Sequence, residues 1–522
     1  MNRAPVLFRA GSRLLCLVAI ALALVSVVAS GGRVNRNICP IDEESLRHPQ
    51  LPPGARVVVI PAKKKAWENA LGGEEEARPF IRRRLTALPR QLLVDKNALP
   101  QTDREFVWRL AQDTWRGLEA LTDRENGLPV DHVYFGDGTA PVADALVRDY
   151  TSGTNIGLHL VAIVAANQLQ LISTEQAVEA IRRVLDTLHR LETYKGFFLN
   201  FYDTTSLERT SNLVSFVDSS WLTAGLMAVR MTFPALYAEC TALIDQTDYG
   251  FFYNRATRQI SHGYYLKPGA RSPFEYGMLY TEARLGSLIG IGKGDIPAAH
   301  WFEMVRVFPA ECRWQTQVPK GRQVKTLHGY ELCAGYFDWQ DVRYVPSWGG
   351  SAFEALMPTL LLDETRYAPK SLGANDLAHA TVQRRYAIEH LGYPVWGISS
   401  SATPEGDSYS EYGVPVLGAR GYAAGAVTPH ASALALALTP EAVLSNLRTL
   451  AARYDIYGEF GFYDAVDPRS GRVAYKYLSL DQSMFFVALA DYLSGHAIQQ
   501  RFAADPIMQR ALRLIADEDF FE

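Results

Sequence analysis

The sequence predicts an all-α fold, an (α/α) toroid or barrel of paired antiparallel helices, and three observations lead there. Apolar residues recur at the 3.6-residue period of a helix over a long series of segments between about residue 102 and the C-terminus. Long strands are scarce, and the segments fall mostly into consecutive pairs with short links. A joint of fixed shape also returns along the chain: Gly196-Phe-Phe-Leu-Asn200, Gly250-Phe-Phe-Tyr-Asn254 and Gly461-Phe-Tyr-Asp464. Each follows one helical segment and precedes another, so the joints imply repeated structural units. Helix pairs in such number bury their faces as an open solenoid or a closed ring, and the repeated joint favours the ring.

At the N-terminus, Arg3, Arg9 and Arg13 precede an uncharged apolar run, Leu14 to Ser30. Val28-Ala-Ser30 before Gly31-Gly32 offers the small residues that a signal peptidase cleaves after. Residues 1–30 are therefore expected to be a signal peptide, with an uncleaved inner-membrane anchor through residues 14–30 as the second reading. Either places the chain in the periplasm or outside the cell. Residues 31–100 read as an accessory or linker segment, with Pro52-Pro53, the basic run Lys63–Lys65 and acidic Glu74–Glu76. Cysteine use fits export: beyond Cys16 stand Cys39, Cys240, Cys312 and Cys333, with no C-x-x-C pair. Cys312 and Cys333 could pair, or all four could stay reduced.

The barrel domain is expected to run from 101 to 522. Its first helix follows Thr102, with Phe106, Val107, Leu110 and Leu118 on the apolar face, and Asn126-Gly127-Leu-Pro129 supplies turn chemistry after it. Thr154-Asn155 precedes an apolar helix over 156–170. Ser173 and Gln176 form a capping-box pattern before a helix over 174–191. Asp218-Ser-Ser opens a helix over 219–231. Further helices are expected near 281–291, 297–306, 350–362, 375–391, 429–438, 440–453, 483–494 and 506–517.

Several polar residues sit at these helix starts: Asn155, Asp218, Glu282, Glu354 and Asp481. A free helix N-terminus favours carboxylates, so Asp218 and Asp481 have a plain capping role open to them. In a closed ring the starts of alternate helices meet at one rim, and these carboxylates would then converge on a cleft. The stretch Trp348-Gly-Gly-Ser-Ala-Phe-Glu-Ala-Leu-Met-Pro358 supplies a flat aromatic, close backbone approach and a carboxylate in one helix start.

Composition narrows the function. The net charge of −4 gives no basic face for nucleic acid. No glycine-rich phosphate loop, G-x-S-x-G or H-E-x-x-H occurs, so the sequence calls for no cofactor and no metal. Carboxylates with aromatics remain, and that combination suits cleavage of a glycosidic bond, where one carboxylic acid protonates the leaving oxygen and a second carboxylate acts as base or nucleophile. Glu282, within Tyr280-Thr-Glu-Ala-Arg-Leu285, has apolar neighbours that would raise its pKa, as a general acid needs. Trp348 and Trp396 could stack on sugar rings or fill the core. Tyr202 and Asp203 could bind hydroxyls or form a turn, and Asp481 with Gln482 reads as a helix cap.

From about residue 100 onward the words Thr151-Ser-Gly-Thr-Asn-Ile-Gly-Leu158, Ser215-Phe-Val-Asp-Ser219, Glu282-Ala-Arg-Leu285, Gly292-Lys-Gly-Asp-Ile-Pro297, Ser347 to Pro358, Trp396-Gly-Ile-Ser399, Tyr412-Gly-Val-Pro415 and Tyr457 to Asp464 resemble, in order, the glucoamylase-like glycoside hydrolases. The chain is similar in particular to the central transglycosylase domain of cyclic β-1,2-glucan synthases and to endo-β-1,2-glucanases. The resemblance implies an (α/α) barrel, action on β-1,2-linked glucose and a general-acid role for Glu282. One position departs. In the synthase domain the Trp-Gly-Ile-Ser word ends in Glu, implied to be the nucleophile of a retaining reaction, and here it ends in Ser400. A hydroxyl without a base beside it is a poor nucleophile, so the expectation is inversion.

The sequence therefore leads to an exported hydrolase of β-1,2-glucan or a related β-glucan. Glu282 is the expected acid and Asp218 the expected base side, with Glu405, Asp407 and Glu411 of the following loop as alternatives. Trp348, Glu354, Trp396, Ser400, Tyr202, Asp203, Asn155, Glu411 and Tyr412 are the expected substrate contacts, and the partner is a polysaccharide or oligosaccharide. The competing class is a non-catalytic glycan-binding component of a polysaccharide assembly or export system, to which the loss of the carboxylate at 400 would also point.

Overall fold

A computed structural model describes Glu68 and residues 73–522. The expected signal or anchor, the basic run at 63–65 and most of the accessory segment lie outside the described residues. The helices form two concentric layers. Gly153–Gln168, Phe216–Thr232, Arg284–Lys293, Ala352–Leu356, Pro429–Ala433 and Ser479–Leu493 are the inner set. Asp103–Ala120, Thr174–Leu188, Tyr237–Asp245, Ala299–Glu303, Leu372–Arg385 and Pro440–Arg453 are the outer set. Outer and inner helices alternate along the chain, which is the (α/α) arrangement that the helix pairing predicts.

Side-chain chemistry sorts the two layers. Fourteen of the 16 residues of Gly153–Gln168 are buried, so this helix is apolar all round. Only six of the 15 in Thr174–Leu188 are buried, on one stripe, and the Ser173–Gln176 capping box forms as its spacing predicts. Gly153–Gln168 packs on Phe216–Thr232 on one side and on Ser479–Leu493 on the other. A Cβ at Gly157 would lie 2.2 Å from the Trp221 carbonyl oxygen, and one at Gly225 would lie 2.4 Å from the Gly157 carbonyl oxygen. The two backbones touch there, which only glycine allows. The ring is joined between Arg284–Lys293 and Ala352–Leu356 by Arg284, which donates to the Ala355 carbonyl at 2.7 Å.

The inner helices all begin at one rim. Thr154 and Asp218, from two adjacent inner helix starts, share a 2.7 Å hydrogen bond. His430 and Asp481, from two others, lie 3.2 Å apart. The segments entering this rim carry short antiparallel strands, and the all-α expectation is corrected here. Strand His132–Tyr134 lies between Leu146–Arg148 and Lys476–Leu478, closing the first connection onto the last. A larger meander comprises Lys320–Leu327, Tyr330–Trp339 and Val342–Tyr344. Its first strand has no buried residue, so no apolar alternation marks it in the sequence.

The recurring Gly-aromatic joints occupy equivalent places, each between an outer helix and the next inner one. Gly196 and Gly461 both turn a tight hairpin with left-handed φ of 81° and 87°. Gly250 lies in a 3-10 turn instead. Two expected helices are shorter than their apolar runs. Ala352–Leu356 gives way to a 3-10 turn at Met357–Leu360, where Pro358 has no N–H to continue it. Pro429–Ala433 replaces the expected 429–438. Tyr237–Asp245 and Ala497–Ala503 form helices that the sequence reading lacks. The described part of the accessory segment packs on the barrel: helix Glu74–Arg84 buries Ala77 and Ile81 and pairs Arg84 with Asp123 at 2.6 Å. Cys312 is disulfide-bonded while Cys333 has a free thiol, so these two are not paired with each other.

Candidate active site

An arc of carboxylates lines the rim. Glu282 ends the connection before helix Arg284–Lys293 and is buried. Burial, with the negative charges of Glu354 and Glu411 added, pushes its pKa up to about 8. The segment is anchored two residues later. Arg284, wholly buried, takes both carboxylate oxygens of Glu364 and sits 4.7 Å over the Tyr280 ring. Tyr280 in turn donates to Asp376 at 2.6 Å.

Glu354 accepts the Gly349 amide at 2.8 Å. Burial raises its pKa to about 7, against hydrogen bonds from the Gly349, Gly350 and Ser351 amides and the Ser347 hydroxyl. It thus holds the Trp348-Gly-Gly loop in shape as well as facing Glu282. Glu411, on the loop after strand Tyr409–Ser410, is half-buried, and burial with the Glu354 charge raises it to about 7. Tyr422 lies against Gly349, where a Cβ would meet its ring at 2.1 Å. Its hydroxyl bonds Glu354 and feels the charges of Glu411 and Glu282.

Asp218 lies on the other flank. It does not cap its own helix: Ser215 does, by accepting the Asp218 amide at 3.3 Å. The Asp218 carboxylate accepts from the Thr154 hydroxyl at 2.7 Å and the Thr154 amide at 3.3 Å, bracing two inner helix starts. Tyr276 stands where the charges of both Glu282 and Asp218 reach it.

Deeper along the arc Asp481, expected to cap its helix, makes no side-chain cap there and lies instead beside Asp464. Asp464 accepts the Ala402 amide at 2.6 Å, and Asp481 hydrogen-bonds Asp464. Both are 1 % exposed. Burial and the Asp464 charge push Asp481 well above the carboxylate range, which favours its protonated form beside Asp464. Tyr409 feels the charges of Asp481, Asp464 and Glu411 and hydrogen-bonds Ser400, linking the pair to the rim loop. The repeated joint ending in Asp464 was the available signal, because its counterparts end in the neutral amides Asn200 and Asn254.

The remaining expected residues separate clearly. Asn155 donates to Asp131 at 3.3 Å, inside a network in which His132 bonds Asp131 at 2.6 Å and Asp407 at 2.8 Å. Burial opposes the charge of Asp407, but His132, Lys476 and Arg148 together hold its carboxyl far below the usual range. Such a carboxylate is too weak a base to activate water. Glu405 pairs with Arg472 on the surface. Tyr412 is half-buried, with its ring against Gly425.

Four of the expected sugar contacts are buried and have protein partners of their own. Tyr202 is wholly buried, its hydroxyl held between the Glu192 carbonyl and the Leu199 amide. Asp203, also buried, accepts the Thr205 and Ser206 amides and forms a turn. Trp396 is a core residue whose backbone is clamped on both sides by Asn446. Trp348 packs 5.7 Å from Trp314 in a cluster with Met278 and Phe308. Ser400 is buried, with its amide on Ser351 and its hydroxyl on Tyr409, and among the described residues no carboxylate bonds it.

Residues 326–506 match the Glycoamylase family, described as "Putative glucoamylase", and residues 109–250 match a family described as "Protein of unknown function (DUF3131)". The chain is 24% identical over 580 aligned positions to the cyclic beta-(1,2)-glucan synthase NdvB of Rhizobium meliloti. That alignment covers 82% of this chain and spans 19% of the synthase. Among solved structures it is similar to the endo-beta-1,2-glucanase of Chitinophaga pinensis in complex with sophorotriose and glucose, at 18% identity and a TM-score of 0.61 over 80% of this chain and 99% of that one. It is also similar to the endo-beta-1,2-glucanase of Talaromyces funiculosus in complex with sophorose, at 12% identity and a TM-score of 0.58 over 81% and 92%. The glucoamylase-like resemblance read from the sequence words stands, and so does the barrel it implies.

Proposed function

We propose that this chain is an exported glycoside hydrolase that cleaves β-1,2-glucan with inversion, with Glu282 as general acid. The observation that carries the reading is the state of Glu282: a buried carboxyl on a rigid helix start, with a pKa near 8, so that it holds a proton at neutral pH. The names of the similar proteins support the choice of polymer, since two are endo-beta-1,2-glucanases and one a cyclic beta-(1,2)-glucan synthase.

In this reading the glucan crosses the rim with one glycosidic oxygen at Glu282. Glu282 passes its proton to that oxygen as the bond to the anomeric carbon breaks. A water attacks the same carbon from the opposite face, and a carboxylate takes its proton. Of the expected bases, Glu411 has the best place: a half-buried loop carboxylate within electrostatic reach of Glu282 and Glu354. Asp218 is committed to Thr154, and Asp407 to its cationic partners. Ser400 leaves no nucleophile at the position where a retaining reaction would need one, which favours inversion.

The same Ser400 supports the second reading, a glycan-binding component of an assembly or export system. Glu282→Gln separates the two. A hydrolase loses release of reducing sugar from β-1,2-glucan in this variant while still binding the polymer, and NMR of the first product shows the α-anomer. Unchanged sugar release in the variant overturns the assignment. Export rests on the basic and apolar pattern of residues 3–30. Fractionation of cells producing the full chain tests it, and recovery in the cytoplasm would refute it.

A further inference from the structure

A second pocket opens on the same rim, away from the acid, with a cavity of about 650 Å³. It is built by two neighbouring connections: the turn at Tyr194–Gly196, which leads to inner helix Phe216–Thr232, and residues 250–276, which lead to Glu282. One sheet separates it from the acid. Glu275 and Ser261 are paired in register and line the pocket. The next pair, Tyr276 and Ile260, points to the opposite face, and Tyr276 there feels the charge of Glu282.

The lining combines two chemistries. Phe251 and Tyr264 supply aromatic surface, and Tyr264 is stacked on Tyr194 at 5.5 Å with 15° between the rings. Lys195 and Arg271 supply positive charge. Lys195 adopts a left-handed backbone, φ 52°, which projects it from a tight hairpin turn, and its ammonium lies 5.2 Å from the Phe251 ring centroid. Arg271 donates its Nε to the Phe251 carbonyl at 2.8 Å. Both cations are exposed, and among the described residues neither has an ion-pair partner, although the chain carries a net charge of −4. Glu275, the one acidic residue in the lining, is buried, and one of its oxygens accepts from both Asn254 and Thr257 at 2.7 Å.

We infer that this pocket binds a sugar unit carrying an anionic substituent, so that the protein holds an acidic glycan strand at a place separate from the acid. The volume of about 650 Å³ lies in the range of ligand sites. The aromatic faces suit the C–H faces of a pyranose ring, and a Lys and an Arg without an ion-pair partner suit a carboxylate or phosphate on it. The inference rests on the proposed hydrolase reading only for the choice of polymer.

The test measures binding of the full chain carrying Glu282→Gln, in which turnover is suppressed, to carboxymethylated and to unmodified β-1,2-glucan by calorimetry. The charged polymer should bind about ten-fold tighter at low salt, the gain of one or two charge-assisted contacts. Added Lys195→Ala and Arg271→Ala should erase that preference, while circular dichroism shows an unchanged fold. Tyr264→Ala should weaken the charged polymer through loss of the ring contact. Equal affinity of the parent for both polymers, or a preference that persists in the double variant, overturns the inference. The readout is a ratio of affinities, so it stands even if unmodified β-1,2-glucan is not hydrolysed. Conversely, hydrolysis with no charge preference keeps the proposed function and removes this pocket from it.

Discussion

Arg284 binds both oxygens of Glu364 at 2.8 Å, and neither side chain is exposed at all. This pair lies directly behind the proposed acid and ties its segment to the next inner helix through the Thr281 and Ala355 carbonyls. Replacing Glu364 by Gln removes the bidentate partner of a buried guanidinium and leaves it only Asp376, 3.7 Å away, which costs up to about 3–5 kcal/mol. Glu364→Gln should therefore lower the midpoint of thermal unfolding by several degrees and cut kcat/KM, whereas an exposed pair such as Arg183 and Glu179 should be nearly silent. Equal effects of the two substitutions in differential scanning calorimetry would refute the anchoring role.

The acid and its partners also set a pH window. In the proposed mechanism Glu282 must hold its proton, and burial raises it to about 8, while Glu411 must lose its own and is raised to about 7. A reaction needing both forms gives a narrow bell in log kcat/KM, centred between these two limbs. Because the charges interact, the limbs belong to the carboxylate group as a whole. Glu411→Gln should abolish the acidic limb along with most activity, and a broad plateau from pH 5 to 7 in the parent would rule out this pairing.

These same shifts govern stability. In the folded state Glu282, Glu354 and Glu411 all have pKa values raised above 4.5 by burial, so folding binds protons. Their favourable contribution is present at low pH and is lost as pH rises from about 4.5 through 7 to 8. Glu282→Gln removes one titrating group at nearly constant shape. The variant should gain stability relative to the parent as pH rises toward 8, measured by urea unfolding at fixed salt. A constant difference between the two proteins from pH 5 to 8 would contradict the raised Glu282.

Gly349 and Tyr422 offer a steric test of the loop. The tyrosine ring lies where a Cβ would stand, 2.1 Å away, and its hydroxyl bonds Glu354. Gly349→Ala should push Tyr422 aside and lower kcat/KM about ten-fold or more, because small misplacements near reacting groups are costly. The double variant Gly349→Ala with Tyr422→Ala removes the clash and should recover stability but not activity. Recovery of full activity would show that Tyr422 only fills space.

The layers of the barrel were legible because helix periodicity, a capping box and a repeated joint all report local geometry, as Ser173–Gln176 and Gly196 show. The burial of Glu282 was legible through its apolar neighbours. The packing of Trp348 on Trp314, and the clamp of Asn446 on the Trp396 backbone, were not legible, because both join residues far apart in the sequence. The meander from Lys320 to Tyr344 was missed because a solvent-covered strand carries no alternation. Asp464 and Asp481 were split by 17 positions and meet only through the fold.

That meeting supports a last prediction. Asp481 keeps a proton because two buried carboxylates in contact cannot both ionise, and His430, 3.2 Å away, is itself held neutral by burial, its pKa lowered to about 3. Asp464, fixed by the Ala402 amide, carries the charge. The amide of Asp481→Asn reproduces the donor that Asp464 uses, with no proton to lose. The variant should therefore match the parent's stability near pH 5 and exceed it at pH 9, where the parent is forced toward a doubly charged pair. Asp464→Asn removes the charge that Asp481 and the Ala402 amide both address, and should destabilise at every pH. Parallel stability curves for Asp481→Asn and the parent from pH 5 to 9 would show that the two carboxyls do not share a proton.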